Sequence, residues 1–215
     1  MRWRLPRAEP GQVVGLFGGS FDPPHAGHAH LSREAMKRLR LDRLWWLVSP
    51  GNPLKPDAPA PLAERLEAAR TRITHPRVII TDIEAQLGTR ASIDTLTRLR
   101  ALYPGTRFVW LMGADNLAGF HRWQHWQEIF ALMPIAVFAR PGQRLAALNS
   151  PAARRFAVAR LPAHVAPLLS RRAPPAWVWL DMPMRNDSST AMRRKGLRIA
   201  AGAQARDNAG NPVPR

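Results

Sequence analysis

Short, uninterrupted apolar runs recur along this chain, each followed by a polar loop and most by a stretch of helical periodicity. The runs are Val13 to Gly18, Leu44 to Val48, Val78 to Ile80, Phe108 to Gly113, Ile135 to Ala139 and Trp177 to Leu180. A strand that is apolar at every position, not at alternate ones, has both faces covered, which is the state of strands in a parallel sheet. Between them, segments such as His28 to Leu39, with Leu31, Ala35, Met36 and Leu39 at helical spacing, supply the crossover connections that parallel strands need. The pattern predicts an α/β fold built on a doubly wound, mostly parallel sheet with helices on both faces. In such sheets ligands bind at the carboxyl ends of the strands, so the loops leaving each strand carry the search for function.

Further helices are expected from about Pro61 to Ile73, over Ser92 to Leu102 with Ser92 as N-cap, and from Ser188 to about Ala201. Residues 143 to 175 have no clear periodicity, only short helical pieces, prolines and arginines. Residues 1–201 read as a single domain, which 215 residues suit, and 202–215, rich in Gly, Asn and Pro, as a disordered tail.

Composition removes several classes of function. There are no cysteines, so disulfide scaffolds, thiolate metal sites and cysteine nucleophiles are out. No apolar run approaches the roughly 20 residues needed to cross a bilayer, and Met1 to Arg7 lacks the apolar stretch of a signal peptide. The expected setting is therefore cytoplasmic, with no membrane partner. Lys and Arg number 32 against 15 Asp and Glu, a formal charge of +17, which favours an anionic partner. Charge does not choose which: nucleic acid and phosphorylated small molecules both fit, and a basic RNA-binding protein stays open as an alternative.

The loop after the first strand narrows the choice. Gly18-Gly19-Ser20-Phe21-Asp22-Pro23-Pro24-His25-Ala26-Gly27-His28 runs from a strand end into a helix. Glycines there let the backbone approach a ligand, and the helix N-terminus offers unpaired N–H groups to an anion. His25 and His28, three apart, can both address one phosphate, donating hydrogen bonds or stabilising added charge. The loop is neither a G-x-G-x-x-G nor a P-loop element.

These residues resemble the signature of the HxGH nucleotidylyltransferases, and within that superfamily the bacterial nicotinate-nucleotide adenylyltransferases. The resemblance implies a Rossmann-like fold and an enzyme that moves AMP from ATP to nicotinate mononucleotide. The products are deamido-NAD and pyrophosphate, with Mg²⁺ held mainly by the substrate phosphates and no protein metal site. It assigns Gly18, Gly19, Ser20, Phe21, His25 and His28 to ATP. Ser188-Ser189-Thr190-Ala191-Met192-Arg193 is similar to the family's I-S-S-T-x-x-R element, which places Ser188, Ser189, Thr190 and Arg193 on the ATP phosphates and the departing pyrophosphate. Catalysis would rest on His25, His28 and Arg193.

Gly113-Ala114-Asp115-Asn116-Leu117, with Phe120 and Trp123 following, looks like the segment that marks the mononucleotide acceptor. By that resemblance Asp115 meets ribose hydroxyls and Trp123 stacks on the pyridine ring. Ser92-Ile93-Asp94-Thr95-Leu96 is similar to T-x-D-T-L, making Ser92 a contact for the nicotinate carboxylate, with Arg90 able to assist. Asn52 and Lys55, in the loop after the second strand, match a substrate loop. Arg65 matches a recurrent arginine, although a helix-surface position is the expectation for it. Asp187 and Ala91 depart from the family pattern. Nicotinamide mononucleotide and phosphopantetheine remain alternative acceptors.

Overall fold

The structure, a computed structural model, describes residues 5–51 and 59–183 together with the short pairs 198–199 and 205–206. Seven strands form one sheet, all neighbours parallel: β1 (Val13–Gly19), β2 (Arg43–Val48), β3 (Val78–Thr81), β4 (Arg107–Gly113), β5 (Ile135–Phe138), β6 (Arg160–Leu161) and β7 (Trp177–Leu180), in the order β3-β2-β1-β4-β5-β7-β6. The six apolar runs are thus strands. Only β6, two residues long, comes from the segment without clear periodicity.

The pleat divides the core into two layers. Val14, Leu16, Trp45, Leu47, Trp110 and Met112 point to one face; Val13, Phe17, Leu44, Trp46, Val109 and Leu111 point to the other. Adjacent Trp45 and Trp46 are both fully buried, one in each layer, which is what strands covered on both sides require. The first layer is closed by α3 (Ile83–Leu87), α4 (Ser92–Leu102), α5 (Ala114–Gly119), α6 (Trp126–Leu132), α7 (Arg144–Leu148) and α8 (Pro151–Arg155). The second is closed by α1 (Ala26–Arg38), α2 (Leu62–Arg72) and a 3-10 helix over Ala163–Arg171.

Two details differ from the sequence-based reading. Ala91, not Ser92, occupies the N-cap of α4, with no side-chain cap bond, so the Ser92 hydroxyl is not committed to capping. The helix expected up to about Ala201 is replaced at Arg198–Ile199 by a strand, β8, pairing antiparallel with β9 (Ala205–Arg206); their backbone groups find partners across the pair instead of along a helix. Two residues of the expected tail therefore lie in a strand.

β1 pairs with β2 on one side and β4 on the other, and the chain winds outward from it in both directions. The β1–β4 boundary is therefore the switch point. Its carboxyl edge carries Gly18-Gly19 from one strand and Gly113 from the other, which fixes where a ligand would enter.

Candidate functional site

A cleft of about 580 Å³ opens at that edge. The β1 side of its wall is Phe17, Gly18, Gly19, Ser20, Phe21 and His28; the β4 side is Trp110, Asp115, Asn116, Arg122, Trp123 and Gln124. Ser49, Glu84, Arg90, Ala91, Ser92 and Arg140 line it as well. Gly18 is required here by packing: the Trp110 ring abuts its α-carbon so closely that a Cβ would collide with it. At Gly113 an added Cβ would meet the Asp115–Arg140 pair, 2.7 Å from Nε of Arg140, so that pair would have to shift.

The histidine pair is built from the first turn of α1. His25 is the extended N-cap residue (φ −138°, ψ 171°), and its backbone N–H donates to Nδ1 of His28 at 3.2 Å. Because Nδ1 accepts, the neutral His28 ring carries its proton on Nε2, the nitrogen suited to donate to a phosphoryl oxygen. The two rings stack with centroids 3.7 Å apart. Behind them Phe21 stacks on Trp46 at 4.6 Å and lies 4.9 Å from His28. The indole N–H of Trp46 donates to Ser32 Oγ at 2.8 Å, and that hydroxyl donates to the His28 carbonyl at 2.9 Å. His28 lines the cleft, whereas His25 is 2 % exposed and stacks against it.

The acceptor side is equally anchored. Phe120 and Ile129 are fully buried, but Trp123 is only half-buried, its ring 5.0 Å from Phe120 and 6.4 Å from Trp110, with the remainder facing the cleft. Asp115 pairs with Arg140 at 3.2 Å while staying about half exposed. Ser92, Asp115 and Trp123 thus share one cavity with the glycine loop and His28.

Arg65 overturns the helix-surface expectation. It is 1 % exposed and donates four hydrogen bonds to main-chain carbonyls: Ala60 (2.7 Å), Ser20 (2.8 Å), Ser49 (2.7 Å) and Pro50 (3.1 Å). Burial pushes its pKa down and the Asp22 charge partly restores it. A five-donor planar fork is the one side chain able to satisfy so many diverging carbonyls.

Glu84, Arg122, Arg140 and Trp110 are cleft residues that motif reading passed over. Glu84 and Arg140 follow the ends of β3 and β5 by a few residues, so the rule that ligands gather at strand ends would have found both. Asn52, Lys55, Asp187, Ser188, Ser189, Thr190 and Arg193 lie outside the described residues. Among the described residues no three His, Cys, Asp or Glu side chains cluster to hold a metal, and no helix is long and apolar enough to cross a membrane.

Residues 16–195 match the family described as cytidylyltransferase-like. The chain belongs to that family. Two similar relatives bear the name "Probable nicotinate-nucleotide adenylyltransferase". The one from Roseobacter denitrificans is 59% identical over 196 residues, covering 91% of this chain and 98% of the relative. The one from Cereibacter sphaeroides (strain ATCC 17025) is 64% identical over 184 residues, covering 86% and 98%. Among solved structures, the Plasmodium falciparum nicotinic acid mononucleotide adenylyltransferase complexed with NaAD superposes with a TM-score of 0.65 at 14% identity, covering 86% of this chain and 83% of that one. At that identity the match establishes a shared fold. This cytidylyltransferase-like chain therefore has the Rossmann-like α/β architecture that its sequence predicts.

Proposed function

We propose that this protein transfers the adenylyl group of ATP to nicotinate mononucleotide, forming deamido-NAD and pyrophosphate in the biosynthesis of NAD. The observation that carries this reading is the single cleft joining the glycine loop and His28 to the Ser92, Asp115 and Trp123 wall, in a chain 59% to 64% identical to relatives of that name.

The 5′-phosphate of the mononucleotide attacks the α-phosphorus of ATP, and pyrophosphate leaves in line. A phosphate is already ionised at neutral pH, so the protein has no proton to remove and acts by positioning and by stabilising charge. The backbone at Gly18 and Gly19 brings N–H groups close to the triphosphate, and His28 donates from Nε2 to the reacting phosphoryl group. His25 holds the His28 ring and its tautomer. Arg193 and the Ser188–Thr190 turn are assigned to the departing pyrophosphate. Trp123 stacks on the electron-poor pyridine, Asp115 accepts from ribose hydroxyls, and Ser92 donates to the nicotinate carboxylate. Asn52 and Lys55 complete the substrate loop. The triphosphate supplies hard oxygen ligands, so the cation would enter the cleft already coordinated by ATP. Mg²⁺ bound in that way would neutralise phosphate charge during the transfer.

We also assign residues 1–201 to one nucleotidylyltransferase domain, working in the cytoplasm without nucleic acid. Incubation with ATP and nicotinate mononucleotide, followed by mass analysis of the product, tests the proposal. Deamido-NAD is the expected mass; unchanged substrates would refute it.

A further inference from the structure

Among the described residues, Glu84 is the one acidic side chain buried in the cleft wall, and nothing above uses it. It is 8 % exposed, it lines the cleft, and among the described residues its carboxyl group has no hydrogen-bond or ion-pair partner. Its place is set by a stapled turn. The Glu84 carbonyl accepts from the Thr89 N–H at 3.0 Å, and the hydroxyls of Thr89 and Thr95 meet at 2.7 Å. That ties α3 to the first turn of α4, where Ala91 and Ser92 line the same cavity and the N-cap position brings no side-chain acceptor.

We propose that Glu84 is a specificity-determining residue that reads the pyridine substituent of the acceptor. Its neutral carboxylic acid donates a hydrogen bond to the carboxylate of nicotinate mononucleotide, and its ionised form repels that carboxylate. The carboxamide of nicotinamide mononucleotide is indifferent, since it can accept from the acid or donate to the ion. This assignment rests on the adenylyl-transfer reading. Desolvation raises the Glu84 pKa to about 7, so both forms are populated near neutrality.

The surrounding charges do not replace this role. β2, packed on α3, presents Trp45 and Leu47 there. On α3's own side, Asp82 is held by Gln86 at 2.6 Å, and Arg98 of α4 is held by the Leu87 carbonyl at 2.6 Å. The cleft is lined as well by His28, Arg122 and the Asp115–Arg140 pair, with Arg90 next to Ala91. His28, Arg122 and the Asp115–Arg140 pair bear on the ribose and phosphate that both acceptors share, and Arg90 is unchanged in Glu84→Gln, so comparison with that variant isolates Glu84.

The test is kcat/KM for nicotinate and nicotinamide mononucleotide, each with saturating ATP, for the wild type and Glu84→Gln. Between roughly pH 6 and pH 8 the wild-type ratio of nicotinate to nicotinamide activity should fall about tenfold, following the lost proton, because the nicotinate carboxylate stays ionised throughout. In Glu84→Gln, which is always neutral, the ratio should be flat. A flat wild-type ratio, which needs no variant to observe, overturns the proposal, as does an unchanged fall in Glu84→Gln. Absence of pyrophosphate release with either mononucleotide at every pH has a separate signature and would remove the adenylyl-transfer reading itself.

Discussion

Nη1 of Arg65, in the first turn of α2, donates to the main-chain oxygen of Ser20 at 2.8 Å and so ties a distant helix to the glycine loop of the cleft. The same guanidinium holds Ser49 and Pro50 of the loop after β2 and Ala60 ahead of α2. Three segments that frame the site share one cation.

Arg65→Ala would leave buried carbonyls without donors, at about 1–3 kcal/mol each where no water can reach them. Relaxation limits the total to about 3 kcal/mol, a fall in Tm of roughly 6–12 °C for a chain of this size. Arg65→Lys should recover only part of it, because an ammonium has three donors in a cone and cannot span four diverging oxygens. Thermal unfolding checks both, and a lysine variant as stable as the wild type would contradict the fork geometry.

His28→Ala should lower kcat by about 10²–10³, the range for removing one donor aimed at developing charge, with a much smaller change in KM. His25→Ala keeps the backbone N–H that fixes His28 and should therefore lose less. Steady-state kinetics on folded variants decides the order; equal losses would mean that both imidazoles meet the phosphate.

Trp123→Ala should raise KM for nicotinate mononucleotide by about tenfold, the worth of an aromatic stack, and leave KM for ATP nearly unchanged. The ring is half-buried against Phe120, so a stability loss accompanies the change. A parallel rise in both KM values would place Trp123 in the scaffold instead of the acceptor subsite.

Glu84 also links stability to pH. Its carboxyl binds a proton more tightly in the folded chain, at about pH 7, than in an unfolded one near 4.5, so the folded form holds the extra proton between those values. Stability from this group is therefore complete below the unfolded value and is lost as pH rises through 7, by about 3 kcal/mol in total. Glu84→Gln should be close to wild type in Tm at pH 5 and more stable at pH 8. Denaturation at the two pH values reads the sign directly; the opposite order would mean that the carboxylate is held charged.

The fold was legible because both-face burial writes itself into local sequence. Phe108 to Gly113 and Trp177 to Leu180 are short, aromatic and apolar throughout, which favours covered strands over helices, and Gly18-Gly19 before a helix marks the strand end that matters. The Gly18-Gly19 loop and His28 followed from that, whereas Ser92, Asp115 and Trp123 came from the family resemblance; all of them line one cleft. Arg65 and Glu84 were missed for one shared reason. A charged residue on a helix is normally solvated, and the partners that change this for Arg65 lie five to 45 residues away. For Glu84 the signal is a desolvated environment assembled by α3, α4 and β2, which no local pattern encodes. Residues 143 to 175 were opaque because their helices are three to nine residues long and one carries Pro167 internally, too short and too irregular for periodicity to show.

The central claim is the identity of the acceptor, and pyrophosphate release tests it most directly. Purified protein, ATP and Mg²⁺ are supplied with nicotinate mononucleotide, nicotinamide mononucleotide or phosphopantetheine in parallel. Release should be fastest with nicotinate mononucleotide and absent with phosphopantetheine. No release with nicotinate mononucleotide would contradict the account.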